Sequence, residues 1–427
     1  MTERNLETMD SIGNSGLLSG TRVLDLTDEK GYLCGRLLSE LGAEVVKVEK
    51  PGGDSGRQCG PFYHDLPDYQ KSLYWFAYNY NKRSITLNLE TDDGRQTLKR
   101  LLEKWDIVIE SFPIGYLDEM GIGYKELSKV NPRVIMTSIS PFGQEGPYKT
   151  YKATDIELMA LGGFMSICGE GGRAPVRIPF PQAYLFASAD AALGTLIACY
   201  WRELTGEGQQ VDCAAQNSVA LTVRNPGYWL FQKEILPRDG QFRSAHGIRQ
   251  HHMFPCKDGW ISFQVIGGQA GAQTNKALVE YMVSEGFVSD FLNNIDWNNF
   301  DMSTVTQETM DKIEGPIETF FLAYTMSQLE EEALKRDIIL FPVNTLGAIL
   351  DNPQLQARDY WPEVEHPELG ITVKYPGSFV RVSDAEYLTP RIRHRAPLSG
   401  EHNEGFYREE LGLMKEEVIA LRQAGII

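Results

Sequence analysis

The sequence has few basic residues for its length. Lys and Arg total 41 against 58 Asp and Glu in 427 residues, which gives a formal net charge of −17. Phosphate backbones and anionic membrane surfaces repel a chain of this charge, so we expect neither nucleic acid nor membrane as a partner. An anionic small molecule would need a local basic pocket within this acidic surface.

Long apolar runs and paired cysteines are also lacking. We find no stretch that approaches the roughly 18 apolar residues of a membrane span. The first twenty residues are polar and contain no apolar segment typical of a secretory signal. The six cysteines include no CxxC pair, which is typical of free thiols in a reducing compartment. We therefore expect a cytoplasmic protein.

Several catalytic and ligand-binding motifs are absent as well. The first predicted βα turn, DEKGYLCG, is not GxGxxG, and no GxSxG elbow occurs, which argues against dinucleotide binding and serine hydrolase chemistry. His246, His251 and His252 form no HExxH motif, so we expect loop histidines and no metal. The Gly-rich segment 267–271 is not followed by GK[ST] and predicts a turn rather than a phosphate-binding loop.

What the sequence does contain is an alternation of buried strands and amphipathic helices. The run Val23 to Leu26, the helix that ends at Gly42 and a second strand stopped at Pro51 form a β-α-β unit, which implies parallel strands. We predict an α/β fold with a Rossmann-like open parallel sheet, whose ligands bind at the carboxyl ends of the strands. Further strands are predicted at 84–90, 106–111 and 130–140, with a helix at 92–104.

The alternation stops near residue 215, which suggests a second domain. A long apolar helix ends at Gly206, and an antiparallel strand at 258–268 is followed by helices. Compact helix-and-turn signals return near residue 341. We predict an N-terminal arm at 1–18, a large Rossmann-like domain at 19–215, a linker at 216–234, an inserted smaller α+β domain at 235–340 and a return to the large domain at 341–427.

Five basic residues stand near the predicted ends of strands. Each alone is typical of a surface charge, but at the carboxyl ends of strands in an acidic protein they are together plausible partners for the phosphates of a ligand. They are Lys47, Lys50, Lys82, Arg83 and Lys152.

An ordered set of motifs resembles the family III CoA-transferases. They include LSGTRVLDLT, LGAEVVKVEKPGGDSGR, NKRSITLNLETDDGR, DIVIESFPIGYLDEMGIGYKEL, NPRVIMTSISPFGQEGP, DIELMALGG, TGEGQQVD, DNPQLQARDYWPEVEHPELG and RAPLSGEHNEGFYREELGL. The resemblance runs from about residue 18 to 427 and is weakest across 216–340. It implies open-ring subunits with an inserted small domain, interlocked as a dimer, that use coenzyme A thioesters as substrates.

The resemblance also implies a catalytic aspartate, which this chain lacks. In the family the carboxylate attacks the donor thioester, passes through a mixed anhydride and becomes an aspartyl-CoA thioester. Counting back from Thr205 in TGEGQ, that position holds Tyr184, and the flanking Pro181 and Ala183 fit the family pattern. A phenol cannot form the anhydride and then the thioester.

Two other carboxylates are alternatives for the nucleophile. Asp190 lies nearly two turns further along the apolar helix, and Asp155 opens the DIELMALGG helix, where a carboxylate has a capping role. We expect a structural role for both. The racemase branch of the family is excluded because it needs a histidine where Thr154 stands and an aspartate where Tyr184 stands.

Contacts with CoA carry over from the family only in part. Asp28, Glu29 and Lys30 replace a largely apolar and amide segment, Glu119 replaces a basic residue, and segment 243–252 replaces the Gly-rich loop. CoA binding by this chain is therefore in question. The positions that match the family's CoA-binding residues are Lys50, Leu87, Phe112, Met120 and Lys152.

Intact motifs around a lost nucleophile favour a non-catalytic subunit of a heteromeric transferase. The partner would be a homologous subunit that carries the aspartate. The resemblance is greatest to the aspartate-lacking subunit type of transferases that act on succinyl-CoA and (R)-benzylsuccinate in anaerobic toluene degradation. Alternatives are a homodimeric transferase that uses another carboxylate, a CoA-dependent lyase or isomerase with Tyr184 as acid or base, and a binding module without enzymatic activity.

Overall fold

The computed structural model describes residues 16–223, 230–231, 233, 238–245, 247–383 and 388–427. The chain divides into two compact units. The large unit comprises Met1–Phe164, Ile178–Arg224 and Pro353–Ile427, and the small unit comprises Met165–Arg177 and Asn225–Asn352. The small unit thus includes residues 165–177, which the sequence-based division left in the large domain.

The large unit is built around a six-stranded sheet with strand order β3-β2-β1-β4-β5-β6. All five neighbouring pairs are parallel. The predicted Rossmann-like parallel sheet is confirmed. The order reverses between β1 and β4, which opens a crevice at the carboxyl ends of these two strands. The strands are β1 Arg22–Leu26, β2 Glu44–Glu49, β3 Arg83–Thr86, β4 Ile107–Glu110, β5 Ile135–Ser140 and β6 Gln210–Ala214.

Helices cover the sheet and supply most of the small unit. In the large unit they are α1 Tyr32–Glu40, α2 Leu73–Asn79, α3 Asp92–Leu102, α4 Tyr116–Glu119, α5 Tyr124–Val130, α6 Asp155–Leu161, α7 Ala183–Thr205 and α8 Ala215–Leu221. The small unit contains α9 Gly268–Ser284, α10 Asp290–Asn293, α11 Gln307–Ala323, α12 Met326–Arg336 and α13 Leu346–Leu350. The chain ends in the large unit with α14 Pro353–Ala357, α15 Asn403–Leu411 and α16 Lys415–Gln423.

The C-terminal segment returns to the sheet next to β3. The Asn403 side chain accepts the Thr86 N–H at 2.8 Å and donates to the Thr86 hydroxyl at 2.7 Å, while the Tyr407 hydroxyl donates to the Thr86 carbonyl at 2.7 Å. Phe406 and Val418 pack in the same core as the strands. The end of the chain is therefore part of the large unit's core.

Helix α7 is the longest helix in the described part of the chain. Its length and apolar composition meet the criteria for a membrane span, which the sequence reading had not found, and 39% of its most apolar window is buried. The helix packs against α1, α8, β5 and β6. A Thr195 hydroxyl to Thr137 hydroxyl hydrogen bond of 2.7 Å joins its inner side to β5, so we interpret α7 as a core helix of the large unit.

The small unit combines a three-stranded antiparallel sheet, in the order β11-β10-β9, with a separate β7–β8 hairpin. Apolar side chains of the three strands pack with those of α9, α11 and α12 in one core. A further hairpin, β12–β13, belongs to the large unit. These strands are β7 Phe242–Ala245, β8 Ile248–His251, β9 Met253–Cys256, β10 Gly259–Phe263, β11 Leu340–Pro342, β12 Glu363–His366 and β13 Ile371–Lys374.

Candidate active site

A cavity of about 210 Å³ lies where the strand order reverses, in the position expected for the ligand of a doubly wound sheet. Loops that follow β1, β2 and β4 form its walls. Its lining residues are Leu26, Thr27, Asp28, Val48, Lys50, Asp54, Ser55, Ser111, Phe112 and Pro113.

Two of the five positions matched to CoA-binding residues line this cavity. They are Lys50, which is exposed, and Phe112, which packs on the rim. Leu87 is 1% exposed within the core, and Met120 packs against the same core. Lys152 is exposed and is not among the lining residues. The structure therefore brings together only part of the predicted CoA site.

The largest cavity among the described residues lies elsewhere. It measures about 620 Å³ and is lined by Lys82, Arg83 and residues of the C-terminal segment such as Arg393. Since β3 begins at Arg83, this cavity is at the amino ends of the strands. The prediction that Lys82 and Arg83 stand at the carboxyl ends was therefore wrong, because the strand starts at the residue where the sequence reading placed a loop.

Lys47 and Lys82 are fully buried and bound to protein groups. The Lys82 ammonium donates to Asp25 Oδ2 at 2.8 Å, to Asn79 Oδ1 at 2.8 Å and to the Tyr32 carbonyl at 2.9 Å. Burial lowers the pKa of Lys82, and Asp25 offsets part of that effect. With its three donors used, Lys82 holds α1 and β1 together and is unavailable to a phosphate.

Lys47 supports the floor of the cavity in the same way. Its ammonium donates to the Thr27 carbonyl at 2.5 Å and lies 3.2 Å from Asp54 Oδ2. Burial acts to lower the pKa of Lys47, but the neighbouring carboxylates, Asp54 first, outweigh it and raise the pKa. The ammonium is therefore a fixed internal charge, and its interpretation as a surface phosphate ligand was wrong.

Carboxylates dominate the rim of the cavity. The Asp28 backbone N–H donates to Ser111 Oγ at 2.9 Å and the Ser111 hydroxyl donates to Asp28 Oδ1 at 2.7 Å, which joins the loops after β1 and β4. Asp28 also pairs with Lys30, and the exposed Glu29 accepts the Ser55 hydroxyl at 2.8 Å. The first loop is thus tied in place by acidic side chains.

The charge at Asp54 is stable for the same reason. Burial acts to raise the pKa of Asp54, but Lys47, the Tyr32 hydroxyl and the Gly56 N–H lower it overall. Two carboxylates, Asp28 and Asp54, and one ammonium, Lys50, line the cavity. At close range this balance disfavours a polyphosphate, so the described lining does not fit the nucleotide part of CoA.

Glu110 is a buried acid beside this cavity that the sequence reading did not single out. It ends β4, is 5% exposed and accepts the Phe112 N–H at 2.8 Å. Burial raises its pKa to about 7. The signal in the sequence was an acidic residue at the end of the apolar run DIVIE, which could equally have been an exposed strand end.

Tyr184, at the expected nucleophile position, is the second residue of α7. Its hydroxyl donates to the Ala153 carbonyl at 2.9 Å, and its side chain is largely buried. Burial, together with Asp28 and Glu29, raises the pKa of Tyr184 well above its ordinary value. The phenol is therefore a hydrogen-bond donor to the backbone and a poor proton donor to a substrate.

Asp155 lies against the start of the same helix. Its Oδ1 accepts the N–H groups of Gln182 at 2.6 Å and Ala183 at 2.7 Å. A carboxylate at this place satisfies helix donors that have no partner within the helix and complements the helix dipole. Asp190 is half-buried further along α7. The geometry gives Asp155 a capping role, on the helix that starts at Ala183 as well as on its own.

The segment that stands in place of the family's Gly-rich loop forms the β7–β8 hairpin in the small unit. His251 Nδ1 lies 2.7 Å from Glu314 Oε2, while His246 falls outside the described residues. Gly268 begins α9 with φ at +71°, which agrees with the predicted turn at 267–271. No group of three potential metal ligands was found among the described residues.

Comparison with known proteins places this arrangement in a family. Residues 18–403 match CoA-transferase family III. The chain is 34% identical to the Succinyl-CoA:(R)-benzylsuccinate CoA-transferase subunit BbsE of Thauera aromatica, with 89% of this chain and 91% of that protein covered. It is 31% identical to the Succinyl-CoA--D-citramalate CoA-transferase of Chloroflexus aurantiacus, with 96% and 98% covered. A CAIB/BAIF family protein from Brucella suis superimposes with a TM-score of 0.77 at 25% identity, with 93% of this chain and 100% of that one covered. The chain belongs to CoA-transferase family III.

Proposed function

We propose that this chain is the non-catalytic subunit of a heteromeric CoA-transferase whose second, homologous subunit carries the aspartate. Members of the family use CoA thioesters as substrates. The observation that carries the proposal is Tyr184, which occupies the nucleophile position and donates its hydroxyl to the Ala153 carbonyl at 2.9 Å. A group held in this way has neither the carboxylate nor the freedom that the family's reaction requires.

The cavity at the strand reversal supports the same proposal. Asp28 and Asp54 face the space that Lys50 alone would share with a phosphate-rich ligand. The reaction sequence of the family, from thioester to anhydride to enzyme thioester, would then take place in the partner subunit. This chain would complete the assembly, and a role in covering the acyl group remains open to it.

The substrates that we propose are succinyl-CoA as donor and (R)-benzylsuccinate as acceptor. The support is the relative at 34% identity, which is named as a subunit of a transferase for this pair. A second relative at 31% identity shares succinyl-CoA in its name but has a different acceptor. The donor is accordingly better supported than the acceptor.

Expression alone and together with the homologous neighbouring gene tests the proposal. Succinyl-CoA and (R)-benzylsuccinate are supplied, and formation of benzylsuccinyl-CoA is followed by chromatography. We expect turnover from the pair and none from this chain alone. Full activity of this chain alone would overturn the proposal.

Trapping with hydroxylamine separates the proposal from a homodimeric transferase. Hydroxylamine converts an acylated or CoA-bound carboxylate to a hydroxamate, which mass spectrometry locates. We expect the label on an aspartate of the partner subunit. A label on Asp155 or Asp190 of this chain would assign the nucleophile here instead. A complex that loses its activity on Tyr184→Phe substitution would support acid–base chemistry by the phenol, and the absence of any active complex would leave a binding module.

A further inference from the structure

Helix α7 has an apolar outer side that is exposed in this chain. Five large apolar side chains on it are 46–70% exposed. Their spacing of four, three, one and three residues follows one side of a helix. In order they are Leu193, Ile197, Tyr200, Trp201 and Leu204.

The opposite side of α7 is fully used within the large unit. Ala187, Ala191, Thr195 and Ala198 are buried there, and the Thr195 hydroxyl lies 2.7 Å from the Thr137 hydroxyl of β5. The helix therefore cannot turn its outer side inward without losing these contacts. What covers the outer side must come from outside the chain.

The outer side has the area and composition of an interface core. Large aromatic side chains bury about 150–250 Å² each, so the five residues present on the order of 600 Å² of surface. Patches on monomers rarely exceed that area, and a stable interface uses about 800 Å² from each partner. Tyr and Trp are enriched in such cores.

Charges occur only at the end of this apolar surface. Glu203, at 68% side-chain exposure, pairs with Arg133 at 3.4 Å and borders the stripe near the C-terminus of α7. A charged rim around an uncharged, aromatic centre is typical of protein–protein interfaces. It is less typical of a membrane-binding face, which usually carries flanking cations in excess.

We propose that this outer side of α7 is the surface on which the aspartate-bearing homologous subunit docks; the inference rests on the proposed function. A homologous partner has the same fold and therefore an equivalent helix, so that like surfaces can pair about a pseudo-twofold axis. Two copies of this chain would instead combine two formal charges of −17, which opposes self-association. They would also place tyrosine at both nucleophile positions.

This surface also has a mechanistic consequence. Tyr184 is the second residue of α7, and the exposed stripe starts nine residues later at Leu193. In the partner, the equivalent helix would carry the aspartate near its start. Pairing through these helices would fix the position of the nucleophile and would link activity to assembly.

The double variant Leu193→Glu/Ile197→Glu tests the docking surface. A matched control, Val288→Glu/Leu334→Glu, adds the same charge at two residues of the small unit that are 65% and 67% exposed, against 58% and 61% for the test pair. Each full-length variant is co-expressed with the tagged partner, and complex formation is measured by size-exclusion chromatography with light scattering. We expect the test variant to weaken binding at least 100-fold, with unchanged circular dichroism, and the control to bind as the wild type does.

A photo-crosslinking residue at Tyr200 provides a readout that does not depend on a destabilising change. We expect it to link this chain to the partner. A wild-type active pair whose test variant binds equally well, or a crosslink only to a second copy of this chain, would overturn the docking surface while leaving the proposed function intact. Flotation of the free chain with vesicles of phosphatidylcholine and phosphatidylglycerol in place of partner binding would also overturn it. A wild-type chain that forms no active pair would remove both proposals.

Discussion

Glu110 offers a quantitative test of how burial controls charge beside the candidate site. The residue is 5% exposed at the end of β4. Burial raises its pKa from 4.5 to about 7, Asp28 adds to the increase, and Ser138, the Phe112 N–H and Lys30 oppose it. We consider the substitution Glu110→Gln, whose side-chain carbonyl oxygen can still accept the Phe112 N–H.

The expected effect depends on pH in a defined direction. Because the folded protein holds this proton more tightly than the unfolded chain does, the stability contributed by protonated Glu110 is complete below pH 4.5 and is lost as the pH rises through 7. The difference between a pKa of 4.5 and one of about 7 corresponds to about 3 kcal/mol. Glutamine does not ionise, so the variant escapes this loss.

Urea denaturation at two pH values measures the effect. Relative to the wild type, Glu110→Gln should gain about 3 kcal/mol in the free energy of unfolding at pH 8.5 and less than about 0.5 kcal/mol at pH 4.5. Glu119→Gln is the matched control, since Glu119 is exposed on α4. A Glu110→Gln effect that is equal at both pH values, or a loss of stability at pH 8.5, would refute the reasoning.

Three further substitutions test the supports of the site. Lys82→Met removes the cation bound to Asp25 at 2.8 Å and should cost about 3–5 kcal/mol of unfolding free energy, because it leaves a buried charge unpaired. Arg57→Lys loses the two-point pairing with Glu49 at 2.6 and 2.7 Å and should cost about 2 kcal/mol by urea denaturation. Tyr184→Phe loses one hydrogen bond, so its cost should be about 1 kcal/mol, and the kcat of the assembled transferase should be unchanged.

Matched surface variants interpret these results. Lys125→Met and Arg133→Lys change exposed residues and should alter the unfolding free energy by no more than about 0.5 kcal/mol. A Lys82→Met protein as stable as Lys125→Met would show that the buried pair contributes nothing. An assembled Tyr184→Phe enzyme with a kcat reduced by an order of magnitude would assign the phenol a part in the reaction.

The sheet was predictable from the sequence because its signals are local. Apolar runs such as Val23 to Leu26, separated by helices, indicated parallel strands, and the structure has them. The roles of Lys47 and Lys82 were not predictable in this way. Their partners, Asp54 for one and Asp25 for the other, lie 7 and 57 residues away, and a lysine at a strand end has the same local pattern whether it is buried or exposed.

The candidate site joins changes that are far apart in the sequence. Asp28 and Asp54 line one cavity, and the pKa of Tyr184 responds to Asp28 and Glu29, so the altered nucleophile position and the acidic rim act on the same region. A tyrosine alone would remove the covalent step and leave phosphate binding intact. Acidic side chains alone would weaken phosphate binding and leave the nucleophile. Both together remove any benefit of bringing a CoA thioester to this subunit, and the apolar side of α7 then becomes the feature through which the chain can still serve the reaction.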